Sequence, residues 1–292
     1  MNAPESLSKS PILASAARSI GDILVSSGRL TAQDAERILQ RQQQDKSNFG
    51  DAALALQLLT REDIDFALSR QFDYTYLSEK DTSRSPELVA AYKPFSRVGE
   101  NMRAVRSQLM LRWFNNETAT KVIALVSPGP NEGRSFIAAN LAIVFAQQGE
   151  RTLLIDADLR KGRQHELFAL GKSAGLSGIL ADRAGMEAVL GVPGLKSLFV
   201  LPAGAVPPNP QELLGRSAFG ALLHVAAKEF DVIIVDTPAG TDFADAEIIA
   251  SRAGAAVMIT RKNLSRVSEA ALLARRLQDN GVALVGSILN DD

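Results

Sequence analysis

The feature that most constrains the fold of this chain is a short apolar segment followed directly by a loop rich in Gly and Pro and then by an apolar helical stripe. Residues 122–126 are β-branched or aliphatic, which is typical of a buried strand. The loop covers residues 127–135, and apolar residues then recur at helical spacing from Ile137 to Phe145. In such a unit the N–H groups of the turn and of the helix N-terminus can face a phosphate. The segment therefore predicts a strand–turn–helix unit of an α/β fold.

Further apolar segments alternate with helical ones along the rest of the chain, which predicts a mostly parallel sheet with helices on both faces. The six predicted strands are 122–126, 152–155, 198–201, 232–235, 256–260 and 284–289. We therefore expect an α/β domain over residues 95–292, with a small helical domain before it.

The loop itself matches the GxxxxGK[ST] pattern imperfectly. Pro128 replaces the first Gly, and Arg134 replaces the Lys. Arg134 keeps the positive charge, but its planar guanidinium differs from a compact ammonium. Ser135 stands where a hydroxyl would bind Mg²⁺. Taken alone, the loop leaves two interpretations open, a nucleotide site and an ordinary β–α turn.

Acidic residues follow two of the predicted strands. Asp156 and Asp158 follow the strand at 152–155, and Asp236 follows the strand at 232–235. Ligands of open α/β sheets bind beyond the carboxyl ends of the strands, so these carboxylates and Ser135 are expected to hold Mg²⁺ against the phosphates of a nucleotide. The alternative is that each Asp only caps the turn that follows it.

A repeat of 29 residues marks a separate N-terminal region, and eight residues are identical in its two copies. Gly21, Asp22, Leu30, Thr31, Asp34, Leu39, Arg41 and Gln42 recur as Gly50, Asp51, Leu59, Thr60, Asp63, Leu68, Arg70 and Gln71. Two copies are too few for a solenoid, so we predict a small pseudo-symmetric helical domain over 19–76. In each copy the Thr and the Asp three residues later signal a helix start. A flexible arm is predicted at 1–18 and a linker at 77–94, where the pattern is lost.

Composition excludes several classes of protein. The 292 residues include no Cys and two His, so disulfides, thiolate nucleophiles and Cys- or His-rich metal sites are excluded. Lys and Arg total 32 against 33 Asp and Glu, which argues against nucleic-acid binding and against a polybasic membrane contact. The longest apolar stretch, 253–259, is far short of a membrane span, and residues 1–18 lack an Arg-rich pattern, so no secretory signal is expected. A cytoplasmic protein is expected.

From about Phe95 to its end the chain resembles the bacterial tyrosine kinases (BY-kinases) of exopolysaccharide synthesis, which have a MinD/ParA-like deviant P-loop NTPase fold. The loop at 127–135 is similar to their Walker A motif, 155–160 to Walker A′ and 234–238 to Walker B. Residues 100–106 fit their ExxRxxR oligomerisation motif. With Arg134 in place of Lys, the loop resembles that of the EpsG-like chain-length-determinant kinases, a subgroup of this family.

The resemblance implies a role for each motif residue. The implied catalytic positions are Asp156, which would polarise the acceptor hydroxyl, Asp158 and Arg134. The implied nucleotide-binding positions are Gly129, Asn131, Glu132, Gly133, Arg134, Ser135, Phe136 and Asn290. The implied Mg²⁺ ligands are Ser135, Asp158 and Asp236. The implied oligomerisation residues are Glu100, Arg103 and Arg106.

The implied function is that of a cytoplasmic protein-tyrosine kinase that uses ATP and Mg²⁺ and regulates exopolysaccharide chain length and export. It would act at the inner membrane through a membrane-spanning polysaccharide copolymerase, as a homo-oligomer and without nucleic acid. A MinD/ParA-like ATPase switch and a non-catalytic nucleotide-binding scaffold are the alternatives. The ExxRxxR residues are also consistent with ion pairs inside one helix, and Asn290 with an ordinary strand end.

BY-kinases usually end in a cluster of tyrosines that neighbouring subunits phosphorylate, and this sequence has none. Its tyrosines are Tyr74, Tyr76 and Tyr92. The expected acceptor is therefore one of these three or a tyrosine of a separate protein.

The N-terminal repeat is similar to the MshEN-type domain of type II secretion ATPases, some of which bind cyclic di-GMP through two repeats that begin with Arg-Leu-Gly. Here Ser19 and Asn48 take the Arg positions, and Gln57 replaces an inner Gly. Loss of both Arg residues removes the guanidinium partners for base and phosphate. We therefore expect a docking module, with cyclic di-GMP binding as the less favoured alternative.

Overall fold

The computed structural model describes residues 19–71, 76–77, 81–116, 120–240 and 243–291, without the side chains of Asp65 and Ser69. By its contacts the chain divides into two compact units, Met1–Tyr74 and Thr75–Asp292. The predicted arm at 1–18 lies outside the described residues.

Each 29-residue repeat of the first unit folds into two helices. The first repeat forms α1 (Ile20–Ser26) and α2 (Ala32–Asp45), and the second forms α3 (Phe49–Ala55) and α4 (Arg61–Gln71). The equivalent residues Leu30 and Leu59 are both buried in one apolar core. The predicted helix starts are confirmed, because Asp34 N donates to Thr31 Oγ1 at 3.1 Å and Asp63 N donates to Thr60 Oγ1 at 3.3 Å.

The second unit is built on a seven-stranded sheet in the order β3-β4-β2-β5-β1-β6-β7. Its strands are β1 (Val122–Val126), β2 (Thr152–Asp156), β3 (Leu190–Gly191), β4 (Leu198–Leu201), β5 (Val232–Asp236), β6 (Ala255–Arg261) and β7 (Ala283–Asn290). All neighbours pair in parallel except β3 and β4, which are antiparallel. The six predicted strands are confirmed. The two residues of β3 are too few to give a periodic signal.

Helices cover both faces of the sheet, and each face has its own apolar core. They are α5 (Val89–Tyr92), α6 (Arg97–Leu109) with a π-helical turn at Met110–Phe114, α7 (Arg134–Gln147), α8 (Gln164–Leu167), α9 (Gly175–Leu180), α10 (Pro210–Gly215), α11 (Ser217–Glu229), α12 (Asp245–Ala253) and α13 (Val267–Asp279). The fold class predicted from the sequence is confirmed. Within the described ranges no helix combines the length and the apolar character that crossing a membrane requires.

The described part of the segment predicted as a linker, residue 77 and residues 81–94, packs into the second unit. Leu77, Leu88 and Ala90 are buried in the same core as α7. Ala90 N donates to Asn140 Oδ1 at 2.8 Å, and Leu77 N donates to the carbonyl of Ala91 at 2.8 Å. The division between the units therefore falls earlier than predicted, at residues 74 and 75. Pro and Ser break the periodic pattern of this segment, but its few apolar residues still fill the core.

Candidate active site

The loop after β1 turns sharply into α7 through left-handed backbone. Asn131 has φ 60° and Gly133 has φ 89°. The left-handed φ of Gly133 favours Gly at this position, and a Cβ there would also press against Asn290 Nδ2 at the end of β7. The loop ends at the N-terminus of a 14-residue helix, whose first N–H groups and dipole favour an anion.

Arg134, the first residue of α7, turns its side chain toward the sheet and is 8% exposed. Its Nε donates to the carbonyl of Thr237, and one terminal nitrogen donates to Ser127 Oγ. Nε also lies 3.7 Å from Asp236 Oδ1. Contact with a phosphate therefore requires the guanidinium to leave these partners.

The three predicted carboxylates converge at the carboxyl ends of β2 and β5. Asp156 and Asp236 are register partners on these adjacent strands, and neither is exposed to solvent. Asp158 is half-buried, and its Oδ1 accepts from Arg160 N at 3.1 Å and from Lys161 N at 2.9 Å. The capping role held as an alternative is therefore present at Asp158, whose charge also acts on Asp156 and Asp236.

Burial makes the two strand-end carboxylates hard to ionise together. It raises the pKa of Asp156 well above its ordinary value, and the neighbouring charge of Asp236 raises it further. Burial also raises the pKa of Asp236, although Arg134 opposes this shift. The pair is therefore stabilised by a bound proton or by a cation.

A cavity of about 650 Å³ opens beside the loop. Its walls include Asn131, Gly133, Phe136, Arg261 and Asn290. Three of the five lie in the loop or at the start of α7. The predicted nucleotide residues Phe136 and Asn290 thus come together beside the loop, where a base and ribose would continue from the phosphates.

Comparison with known proteins identifies the family. The tyrosine-protein kinase YwqD of Bacillus subtilis (strain 168) is 36% identical to the chain over 203 residues, which are 70% of this chain and 85% of YwqD. The chain belongs to the bacterial tyrosine kinase family. No family model matches it.

Longer members of the bacterial tyrosine kinase family also match. A putative tyrosine-protein kinase in the cps region of Klebsiella pneumoniae is 33% identical over 214 residues, so the chain spans 29% of that relative's length. The solved kinase domain of the Escherichia coli tyrosine kinase ETK superposes with a TM-score of 0.68 at 33% identity. That match covers 75% of this chain and 85% of the ETK chain.

The residues of this family member fit a magnesium ion that phosphates help to hold. Ser135 lies within hydrogen-bonding reach of the Asp236 carboxylate, and Asp236 Oδ1 is buried with no hydrogen bond from any residue that the structure describes. Oxygen-only ligands suit a hard cation. Across the described ranges no three His, Asp or Glu side chains form a ready metal cage. Mg²⁺ does not need such a cage of protein ligands, because it keeps waters and nucleotide oxygens as ligands.

Two of the predicted nucleotide-binding residues, Gly129 and Glu132, are bonded to each other. Gly129 N donates to Glu132 Oε2 at 3.0 Å, and the Glu132 side chain also accepts from Ser265 Oγ. A terminal nitrogen of Arg261 donates to the carbonyl of Asn131 at 3.0 Å. The buried Glu132 therefore ties the loop to the end of β6, and it takes up one N–H that would otherwise face a phosphate.

The structure adds Gln164 to the residues that the sequence identified. The residue is fully buried at the start of α8, and its side-chain nitrogen donates to Asp236 Oδ2 at 2.8 Å. No motif spacing marks it, since the contact joins residues 72 positions apart. A second missed contact is the ion pair of Arg160 Nε with Asp245 Oδ2 at 2.8 Å, which ties the turn after β2 to α12.

The three residues of the predicted oligomerisation motif lie on α6. An Arg103 terminal nitrogen pairs with Glu100 Oε1 at 2.5 Å within the helix. A terminal nitrogen of Arg106 donates to the carbonyl of Val144 on α7 at 2.9 Å. The intrahelical pairing held as an alternative is therefore formed, and the intersubunit role stays a prediction.

Proposed function

We propose that this chain is an ATP- and Mg²⁺-dependent protein-tyrosine kinase that regulates the chain length and export of an exopolysaccharide. One observation supports it most: Asp156, Asp158 and Asp236 converge with Ser135 opposite a Gly-containing loop, in a chain that is 36% identical to a tyrosine-protein kinase. Positioned charge of this kind is what phosphoryl transfer requires, because its loose transition state needs little covalent help.

In this proposal some side chains bind the metal ion, and another takes the proton of the acceptor hydroxyl. Bound Mg²⁺ would neutralise charge on the β- and γ-phosphates. Ser135 and Asp236 would hold the ion, with Asp158 supporting it, and Arg134 would turn from Thr237 toward the phosphates. Asp156, whose pKa burial raises, takes the proton of the acceptor hydroxyl while the new O–P bond forms and the bond to ADP breaks. Asp156 has no exposed surface, so in this proposal the acceptor reaches it only after neighbouring residues move.

The acceptor in this proposal is a tyrosine of a separate protein. The hydroxyl oxygens of Tyr76 and Tyr92 are buried. Burial also raises the pKa of Tyr92, which makes its phenolate harder to form. Tyr74 lies outside the described residues. A buried hydroxyl cannot enter a neighbouring active site without local unfolding, which favours an acceptor on the membrane-spanning copolymerase.

The proposed setting follows the resemblance of the motifs. The protein would lie in the cytoplasm, peripheral to the inner membrane through the copolymerase, and would assemble into a homo-oligomer through Glu100, Arg103 and Arg106. Glu100 supports the last point, because 64% of its side chain is exposed although it is paired. The N-terminal unit would serve as the docking module.

Phosphotyrosine mass spectrometry tests the activity. The full chain is incubated with Mg-ATP and the cytoplasmic part of the copolymerase, beside Asp158→Asn and the control Asp279→Asn at the exposed end of α13. Phosphotyrosine that is lost only in Asp158→Asn supports the kinase. ATP turnover without phosphotyrosine would replace it with an ATPase switch, and absence of nucleotide binding would replace it with a scaffold.

A further inference from the structure

Gln164 joins three parts of the site that are distant in sequence. Its backbone N donates to Asp156 Oδ2 at 2.9 Å. Its side-chain Nε2 donates to the carbonyl of Ser135 at 3.1 Å and to Asp236 Oδ2 at 2.8 Å. One residue thus bonds to the end of β2, the end of β5 and the start of α7.

These partners fix the orientation of the amide. Both groups that contact Nε2 are acceptors, a carbonyl and a carboxylate, so the NH₂ of Gln164 must face them and the carbonyl oxygen must point the other way. That oxygen, Oε1, is buried and receives no hydrogen bond from any residue in the described part of the chain. An amide oxygen buried without a donor carries a desolvation cost.

A second buried acceptor, also without a hydrogen-bond donor within the described ranges, lies on Asp236, the carboxylate to which Gln164 donates. Asp236 Oδ1 is buried, and no described residue donates a hydrogen bond to it. Among the described residues, the cationic atom paired with it is Arg134 Nε at 3.7 Å, which is an ion pair rather than a hydrogen bond. Two acceptor oxygens on directly bonded side chains require the same kind of ligand, a cation or a hydrogen-bond donor.

We propose that Gln164 is a positioning residue for the magnesium ion: its NH₂ orients the Asp236 carboxylate, and its Oε1 accepts a hydrogen bond from a water bound to the metal. This inference rests on the proposed use of Mg-nucleotide. A hydrated divalent cation meets the requirement of both oxygens, because Mg²⁺ retains several waters and each water is a strong donor. Outer-sphere partners of this type hold a ligand in place and raise metal affinity.

A purely structural role for Gln164 makes a different prediction, so the two can be separated. A residue that only closes the turn before α8 would affect stability and would leave metal dependence unchanged. Gln147 provides the matched control, since it is a buried Gln on α7 whose Nε2 donates to the carbonyl of Ala90 at 3.0 Å. Loss of its amide has the same kind of structural cost outside the metal site.

The test measures how strongly the metal tightens nucleotide binding. Calorimetry gives the Kd of a non-hydrolysable ATP analogue with Mg²⁺ and with EDTA for the full chain and for Gln164→Leu, Gln164→Met and Gln147→Leu. Bound Mn²⁺, followed by its EPR signal, measures metal affinity directly. We expect Gln164→Leu to lose about tenfold or more of the metal enhancement, with the Kd in EDTA within about twofold of the unmodified chain. Gln164→Met removes both the NH₂ and Oε1 with a side chain of similar length, and it is expected to lose the enhancement as well.

Three results would overturn the inference. They are an unchanged metal enhancement in folded Gln164→Leu, an equal loss in Gln147→Leu, and an unchanged enhancement in folded Gln164→Met. Thermal unfolding establishes which variants fold, and Gln164→Met decides the matter if Gln164→Leu does not fold. If the unmodified chain does not bind nucleotide at all, the proposed function fails together with this inference. If it binds nucleotide with a metal enhancement that does not depend on Gln164, only this inference fails.

Discussion

The helical unit and the α/β unit use aspartate in opposite ways. In the helical unit Asp34 lies at an exposed helix start, and the hydrogen bond from the Thr31 hydroxyl lowers its pKa. In the α/β unit Asp156 and Asp236 are fully buried side by side, and burial raises the pKa of each. The same side chain thus stabilises a helix in one environment and creates a site that needs a proton or a cation in the other. Solvation decides between these outcomes.

The largest effect that this contrast predicts is on catalysis. Asp156→Asn should lower the rate of tyrosine phosphorylation by about 10²–10⁴-fold, because the substituted amide cannot accept the hydroxyl proton. Steady-state kinetics with the copolymerase segment provide the measurement. Asp34→Asn in the helical unit is the control and should keep the unmodified rate. A rate within about threefold of the unmodified chain in Asp156→Asn would exclude Asp156 as the base.

The pH dependence of stability should differ in sign between the two units. Because folding raises the pKa of Asp156, this residue stabilises the fold fully at pH values below its pKa in the unfolded chain. That contribution to stability is lost as the pH rises through its pKa in the folded protein. Because folding lowers the pKa of Asp34, this residue stabilises the fold fully at pH values above its pKa in the unfolded chain. That contribution to stability is lost as the pH falls through its pKa in the folded protein.

Thermal unfolding of the full chain from pH 8 to pH 4 checks this contrast. At pH 8 Asp156→Asn should unfold a few degrees above the unmodified chain, and the gain should shrink toward pH 4. Asp34→Asn should show a deficit at pH 8 that also shrinks toward pH 4. A gain in Asp156→Asn that grows as the pH falls would contradict the assignment of the raised pKa.

A smaller effect is expected at the helix start of α4. Thr60→Ala removes the hydroxyl that accepts from Asp63 N and should cost about 1 kcal/mol of local stability. Hydrogen exchange of the α4 amides in the full chain measures this loss. Thr60→Ser keeps the hydroxyl and should exchange like the unmodified chain, whereas equal exchange in both variants would remove the capping explanation.

The smallest effect concerns the ion pair of Arg29 with Asp63, whose atoms lie 2.7 Å apart with Arg29 42% exposed. Arg29→Gln should cost about 0.5 kcal/mol, and the difference should vanish near 1 M salt because exposed pairs are screened. Denaturant unfolding at low and high salt is the measurement, with Arg29→Lys as the charge-conserving control. A cost of several kcal/mol that persists in high salt would instead indicate packing of Arg29 on Phe66, where its guanidinium lies 4.2 Å from the ring centroid.

Much of the fold was predicted from sequence patterns that involve only neighbouring residues. The six longer strands and the Thr–Asp helix starts were readable because each depends on residues within a few positions of one another. The meeting of Asp156 with Asp236 followed from the rule that parallel strands end at one edge. The packing of 77–94 was missed, because Leu77 and Leu88 are buried by contacts with distant elements rather than by a local period.

By itself the sequence determined the strand–loop–helix unit, the repeat of the helical unit and the position of three carboxylates at strand ends, since all of these depend on spacing along the chain. Only the tertiary structure decided that Arg134 faces Thr237, that Glu132 binds Gly129 N within the loop, and that Gln164 bonds to Asp236. The Arg134 and Gln164 contacts join residues 103 and 72 positions apart. Their geometry depends on how strands and helices pack, and burial then determines which carboxylate stays charged.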